Sequence, residues 1–144
     1  MIQLTSKLWV GSSKDELMVG ATRVRCSLNV AQDLKSNWGW PDGMDHMQVG
    51  LIDGPGNLLA AYGAAVLALA GLQDRGGTLV FCHTGGRAMA VALMYLNLQA
   101  GRTWDDWLGI LKERLDAGLP SVHAAHVEAF GRINWKALGK LVAQ

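Results

Sequence analysis

The chain has 144 residues, half of them hydrophobic, with 13 basic and 12 acidic side chains and a formal charge of +1. That length and apolar content suit one domain spanning residues 1–144 around one sizeable core. The even charge balance gives no basic footprint for nucleic acid and none for an anionic membrane surface, so neither is expected as a partner.

The opening MIQLTSKLWV lacks the charged and apolar regions of a signal peptide. KLWVG reads as a short strand closed by a glycine turn, and SSKDELMVG as a short helix that Ser12 or Ser13 caps and Gly20 stops. TRVRCSLNVA alternates, with Val24, Cys26, Leu28 and Val30 on an apolar face and Arg23, Arg25 and Ser27 on the other. QDLKSNWGWPDGMDH is a polar loop carrying Trp38 and Trp40. MQVGLID is a further strand, ending in the turn signal DGPGN, after which Asn57 is placed to cap a long helix. The 15-residue apolar run from Leu58 to Leu72 is too short for a membrane span and reads as a buried helix.

RGGTLVFC is a turn followed by a continuous apolar strand, the pattern of a central strand covered on both faces. A helix from Arg87 to about Ala100 follows, with Gly101 at its end. Thr103 and Asp106 form a capping box opening WDDWLGILKERLDAG, with Trp104, Trp107, Leu108 and Leu111 as its apolar stripe. Gly118 and Pro120 break that helix, and a last helix runs from about Ser121 toward the C-terminus. The order of strands and helices predicts an α/β architecture, a central sheet flanked by helices.

The chemistry concentrates in FCHTGGRA. Cys82 ends the central strand, four residues follow (His83, Thr84, Gly85, Gly86), and Arg87 opens the helix. The glycines let backbone N–H groups turn inward, and the helix N-terminus points its positive end at the same place. Such a concave set of N–H groups is an anion site, and Arg87 adds a planar fork suited to an oxyanion. The same field suits a thiolate, so the loop describes a sulfur nucleophile beneath an anion cradle. Two cysteines, Cys26 and Cys82, make no disulfide framework and are expected as reduced thiols of the cytoplasm, Cys26 in the core.

These segments resemble the cysteine-dependent protein tyrosine phosphatases, specifically their compact dual-specificity branch. LWVGSSKDEL, VRCSLNVAQDL, VGLIDGPGNLL, GGTLVFCHTGGRA and WDDWLGILKERLDAGLP are similar to that family's segments in the same order, covering the chain from about Lys7 to Phe130. The resemblance implies the protein-tyrosine-phosphatase fold with a mostly parallel sheet. It implies Cys82 as nucleophile and Asp53 as general acid. Arg87 and the loop residues His83, Thr84, Gly85, Gly86 and Ala88 would hold the phosphoryl group. The substrate would be a phosphorylated protein or a small phosphoester, with no cofactor and no metal.

Asp53 also fits the acid role on its own terms, in a Gly/Pro turn 29 residues before Cys82, with Asp42 and Asp45 as alternatives. Three departures from the family stand out. The loop holds four residues between Cys82 and Arg87 rather than five, Phe81 replaces the usual histidine, and Ala88 replaces the usual serine or threonine. The missing hydroxyl normally stabilises the departing thiolate, and Thr84 is the nearest substitute in sequence. The four-residue spacing also resembles the rhodanese-type sulfurtransferase loop, in which the cysteine carries a persulfide. A sulfurtransferase and a catalytically weak phosphate binder are therefore the alternatives. His123 and His126 read as a surface helix rather than a zinc site, having no carboxylate or cysteine pattern near them in sequence.

Overall fold

The computed structural model describes residues 1–18, 23–35, 44–115 and 118–144. Five strands form one sheet: β1 (Ile2–Thr5), β2 (Leu8–Ser12), β3 (Cys26–Ala31), β4 (Asp45–Leu51) and β5 (Thr78–Cys82), in the spatial order β1-β2-β5-β3-β4. β2, β5, β3 and β4 run parallel, and β1 is an antiparallel edge strand. Among the described residues a 3-10 helix covers Ser13–Met18 and five α-helices complete the fold: α1 (Leu59–Gln73), between β4 and β5, and then α2 (Gly86–Ala100), α3 (Trp104–Arg114), α4 (Ala124–Arg132) and α5 (Trp135–Val142).

The strand period of two sorts β5 onto two faces. Val80 and Cys82 face the main core, which α1 and α2 cover, together with Leu8, Val10, Cys26 and Leu28. Leu79 and Phe81 face a second cluster with Trp9 and Val24. β5 is thus covered on both faces, as its unbroken apolar sequence predicts. The α1 segment is a helix, with Tyr62, Val66, Leu69 and Leu72 buried.

Four local expectations are corrected. Ser27, opposite the apolar face of Cys26 and Leu28, does not lie on a polar face. It is fully buried, because β3 lies inside the sheet and the second cluster covers that face, and its Oγ meets His46 Nδ1 at 2.6 Å. Arg23 and Arg25 precede the strand, which starts at Cys26. Asn57 does not cap α1: its amide accepts from Ile52 N–H and donates to Ile52 O, closing the turn on itself. The last helix is two, because Ile133 leaves the helical conformation and the Asn134 side chain caps α5 by accepting from Ala137 N–H. Gly20, Trp38 and Trp40 lie outside the described residues. The capping box of Thr103 and Asp106 and the left-handed Gly101 are present as the sequence predicts.

Candidate active site

Parallel strands bring their C-terminal ends to one edge of the sheet, where ligands of open α/β sheets bind. Ser12 of β2 pairs with Cys82 of β5 at that edge, and Ala31 pairs with Leu51 where β3 and β4 end. The chain then turns from Cys82 into α2. Gly85 adopts a left-handed conformation with φ +99° as the N-cap, and α2 begins at Gly86, so Arg87 sits in the first turn. This turn directs Gly85 N–H at Cys82 Sγ, 3.1 Å away. A Cβ at Gly85 would approach Pro120, and one at Gly86 would overlap the Ser121 carbonyl oxygen. The tight loop therefore needs both glycines, one for its dihedral and one for its neighbour. His83 and Thr84 lie on the exposed rim, whereas Cys82 and Ala88 are buried.

Arg87 is only 3% exposed. Its Nη1 donates to Asp33 Oδ1 and to the Leu51 carbonyl, both at 2.8 Å. Its Nε is buried and has no hydrogen-bond partner among the described residues. A buried donor of this kind is costly unless an acceptor meets it, and an oxyanion at the helix N-terminus fits that requirement. Asp33, 64% exposed, also lies 3.3 Å from His83 Nε2 through Oδ2. The Arg87 hydrogen bond is the main cause holding the Asp33 carboxyl below the ordinary carboxylate range. Sequence reasoning missed Asp33. Its signal was an acidic residue just past a strand that ends at the same sheet edge as Cys82.

Asp53 follows β4 by two residues, and the end of β4 is anchored to Arg87 through the Leu51 carbonyl. Two residues span at most ~7 Å of chain, so Asp53 belongs to the same edge. Its carboxylate is half exposed, and Oδ1 lies 3.0 Å from His126 Nε2. Asp45 is elsewhere. It opens β4, aligned through Cys26 with Thr78 at the start of β5, and it pairs with Arg75 at 2.9 Å. The length of β5, roughly 13 Å for four steps, separates that end from Cys82. Asp42 lies outside the described residues.

The histidine expectation is corrected. His126 is fully buried, because α4 turns it toward α1 and the Asp53 turn, where its Nδ1 meets Tyr62 Oη at 2.7 Å. His123 is the N-cap of α4, its Nδ1 accepting from Ala125 N–H. Among the described residues no group of three or more His, Cys, Asp or Glu side chains could hold a metal ion, and no helix is long and apolar enough to cross a membrane.

No protein-family model matches the chain, and no curated protein sequence does. Solved structures do. DUSP15 superposes with a TM-score of 0.74 at 17% identity, over 100% of this chain and 93% of that one. A mouse putative dual specificity phosphatase complexed with zinc tungstate gives 0.70 at 19% identity, over 97% and 89%. OH1 from the Orf virus, a tyrosine phosphatase, gives 0.64 at 21% identity, over 100% and 87%. With these superpositions over nearly its whole length, and with Cys82 ending the central strand of its five-stranded mixed sheet, the chain has the fold of the dual-specificity phosphatases.

Proposed function

We propose that residues 1–144 form a cysteine-dependent phosphatase acting on phosphotyrosine, and on phosphoserine or phosphothreonine, in proteins or small phosphoesters. The observation that carries this reading is the buried Nε of Arg87, which has no hydrogen-bond partner among the described residues, in the first turn of the helix that follows Cys82, whose Sγ already accepts the Gly85 N–H. In the first step Cys82 Sγ attacks phosphorus and the P–O bond to the leaving group breaks. Asp53 gives its proton to the leaving oxygen. Arg87 and the N–H groups of His83 to Gly86 stabilise the equatorial oxygens. In the second step water attacks phosphorus, Asp53 takes the proton, and the S–P bond breaks to return the thiolate. The chemistry draws on no metal or cofactor, and the two free thiols suit the reducing cytoplasm.

The four-residue loop favours a second reading, in which Cys82 carries a persulfide and Asp53 has no proton to give. The two separate on one experiment, turnover of an aryl phosphate and of thiosulfate by the wild type and by Cys82→Ser. The phosphatase releases inorganic phosphate, and Cys82→Ser loses at least about 10³-fold of it, since a neutral hydroxyl is a weak nucleophile without an activating base. Thiosulfate turnover without phosphate release would establish the persulfide reading instead.

A further inference from the structure

A series of hydrogen bonds lies behind Asp53, and the backbone fixes the orientation of its first member. Ile52 N–H donates to Asn57 Oδ1 at 2.9 Å, and Asn57 Nδ2 donates to Ile52 O at 2.8 Å, so the Asn57 amide has one orientation. The same Nδ2 lies 3.3 Å from Tyr62 Oη, which therefore acts as acceptor there and is left to donate onward. Burial above all raises the Tyr62 pKa and keeps this hydroxyl protonated. Its proton points to His126 Nδ1, 2.7 Å away. An imidazole that accepts at Nδ1 carries its hydrogen at Nε2, and His126 Nε2 faces Asp53 Oδ1 at 3.0 Å. The series thus leaves Ile52 and reaches its neighbour Asp53 through two helices.

We infer that His126 is a positioning residue for Asp53, fixing Oδ1 by donation so that the transferable proton is carried on Oδ2. The inference rests on Asp53 being the general acid. His126 is buried, and its ring stacks edge-on to Tyr62 with centroids 5.8 Å apart, so the donor cannot swing away from the carboxylate. Asp53 itself is half exposed on a turn, where an untethered side chain would sample several rotamers. The segment leading into α4 also contacts the cysteine loop, since the Ser121 carbonyl abuts Gly86. Neighbouring residues, Ser121 before α4 and His126 within it, thus meet the loop and Asp53 respectively.

The test is steady-state kinetics of the full chain on phenyl phosphate, a poor leaving group, and 2,4-dinitrophenyl phosphate, a good one. Asp53→Asn is expected to lower kcat about 10²-fold on the first and only a few-fold on the second, the signature of a lost acid. His126→Phe should reproduce that selectivity with a loss of about 10-fold on phenyl phosphate, a fraction of what the acid itself contributes. His126→Gln, whose amide can still donate to Oδ1, should recover most of it. In an Asp53→Asn background His126→Phe should add no selectivity. If His126→Phe fails to fold, Tyr62→Phe applies the same test, because it keeps the ring and removes the donor to Nδ1. Equal losses on both substrates, or no recovery in a folded His126→Gln, overturn the inference while Asp53→Asn stays selective. An unselective Asp53→Asn overturns the acid assignment, and this inference with it.

Discussion

Arg87 divides its donors between two tasks. Nη1 is spent on Asp33 Oδ1 and the Leu51 carbonyl, which hold the guanidinium plane, while Nε has no hydrogen-bond partner among the described residues and is the donor the proposed function assigns to the oxyanion. An ammonium could not do both, because it lacks the planar fork. Asp33 is a poor candidate acid for the same reason that it is a good anchor: Arg87 favours its ionised form. The fold lowers the Asp33 pKa, so the pairing contributes fully above the usual carboxylate range and is lost as the pH falls through the lowered folded value. Asp33 is largely exposed, so solvent screens the pair and its worth at neutral pH is under about 1 kcal/mol. Asp33→Asn should accordingly change the melting temperature little at pH 7 and make its decline between pH 5 and pH 2 shallower, roughly the window set by an ordinary carboxylate and a depressed one. Melting curves across that range check it; an unchanged acid limb would remove Asp33 from the linkage.

At the scale of elements, the loop between β5 and α2 is held by what surrounds it. α2 begins at Gly86, the earlier of the two starts that the sequence allows, and this brings Arg87 into the first turn across a short loop. No periodicity announced that register, because the first nine residues of α2 are all buried and its pattern is apolar on every side. By contrast, the β5 strand, the Thr103 capping box and Gly101 were legible, since each depends on residues a few positions apart. Asp33 and His126 were not, because their partners Arg87 and Asp53 lie 54 and 73 positions away in the chain. Glycine substitutions separate the two kinds of constraint. Gly86→Ala drives a Cβ into the Ser121 carbonyl and should cost about 1–3 kcal/mol of stability, with turnover falling further than stability does. Gly109→Ala in α3, where a Cβ meets nothing within 4 Å, should instead stabilise by about 0.5–1 kcal/mol. Urea unfolding of both variants reads the difference, and a tolerated Gly86→Ala would mean that the loop is not wedged against Ser121.

Across the whole molecule, the site is where separate elements are tied together. Arg87 of α2 holds the segment after β3 through Asp33 and the end of β4 through the Leu51 carbonyl, and His126 of α4 holds the turn beyond β4 through Asp53. An anion that meets Arg87 Nε and the loop N–H groups needs this arrangement complete, so it binds the folded chain and not the unfolded one. Binding of that kind stabilises by about 2.7 kcal/mol when the ligand is at 100 times its dissociation constant. For a chain of this size such a gain raises the melting temperature on the order of 5–10 °C. Tungstate, a tetrahedral oxyanion, is the probe. Wild type and Cys82→Ser should both shift, because the cradle is made by Arg87 and backbone N–H groups rather than by a bond to sulfur. Arg87→Ala should lose the shift even where it remains folded, since it removes the fork and with it the buried Nε donor. Equal shifts in Arg87→Ala and wild type would put the anion elsewhere on the surface and separate this fold from the proposed chemistry.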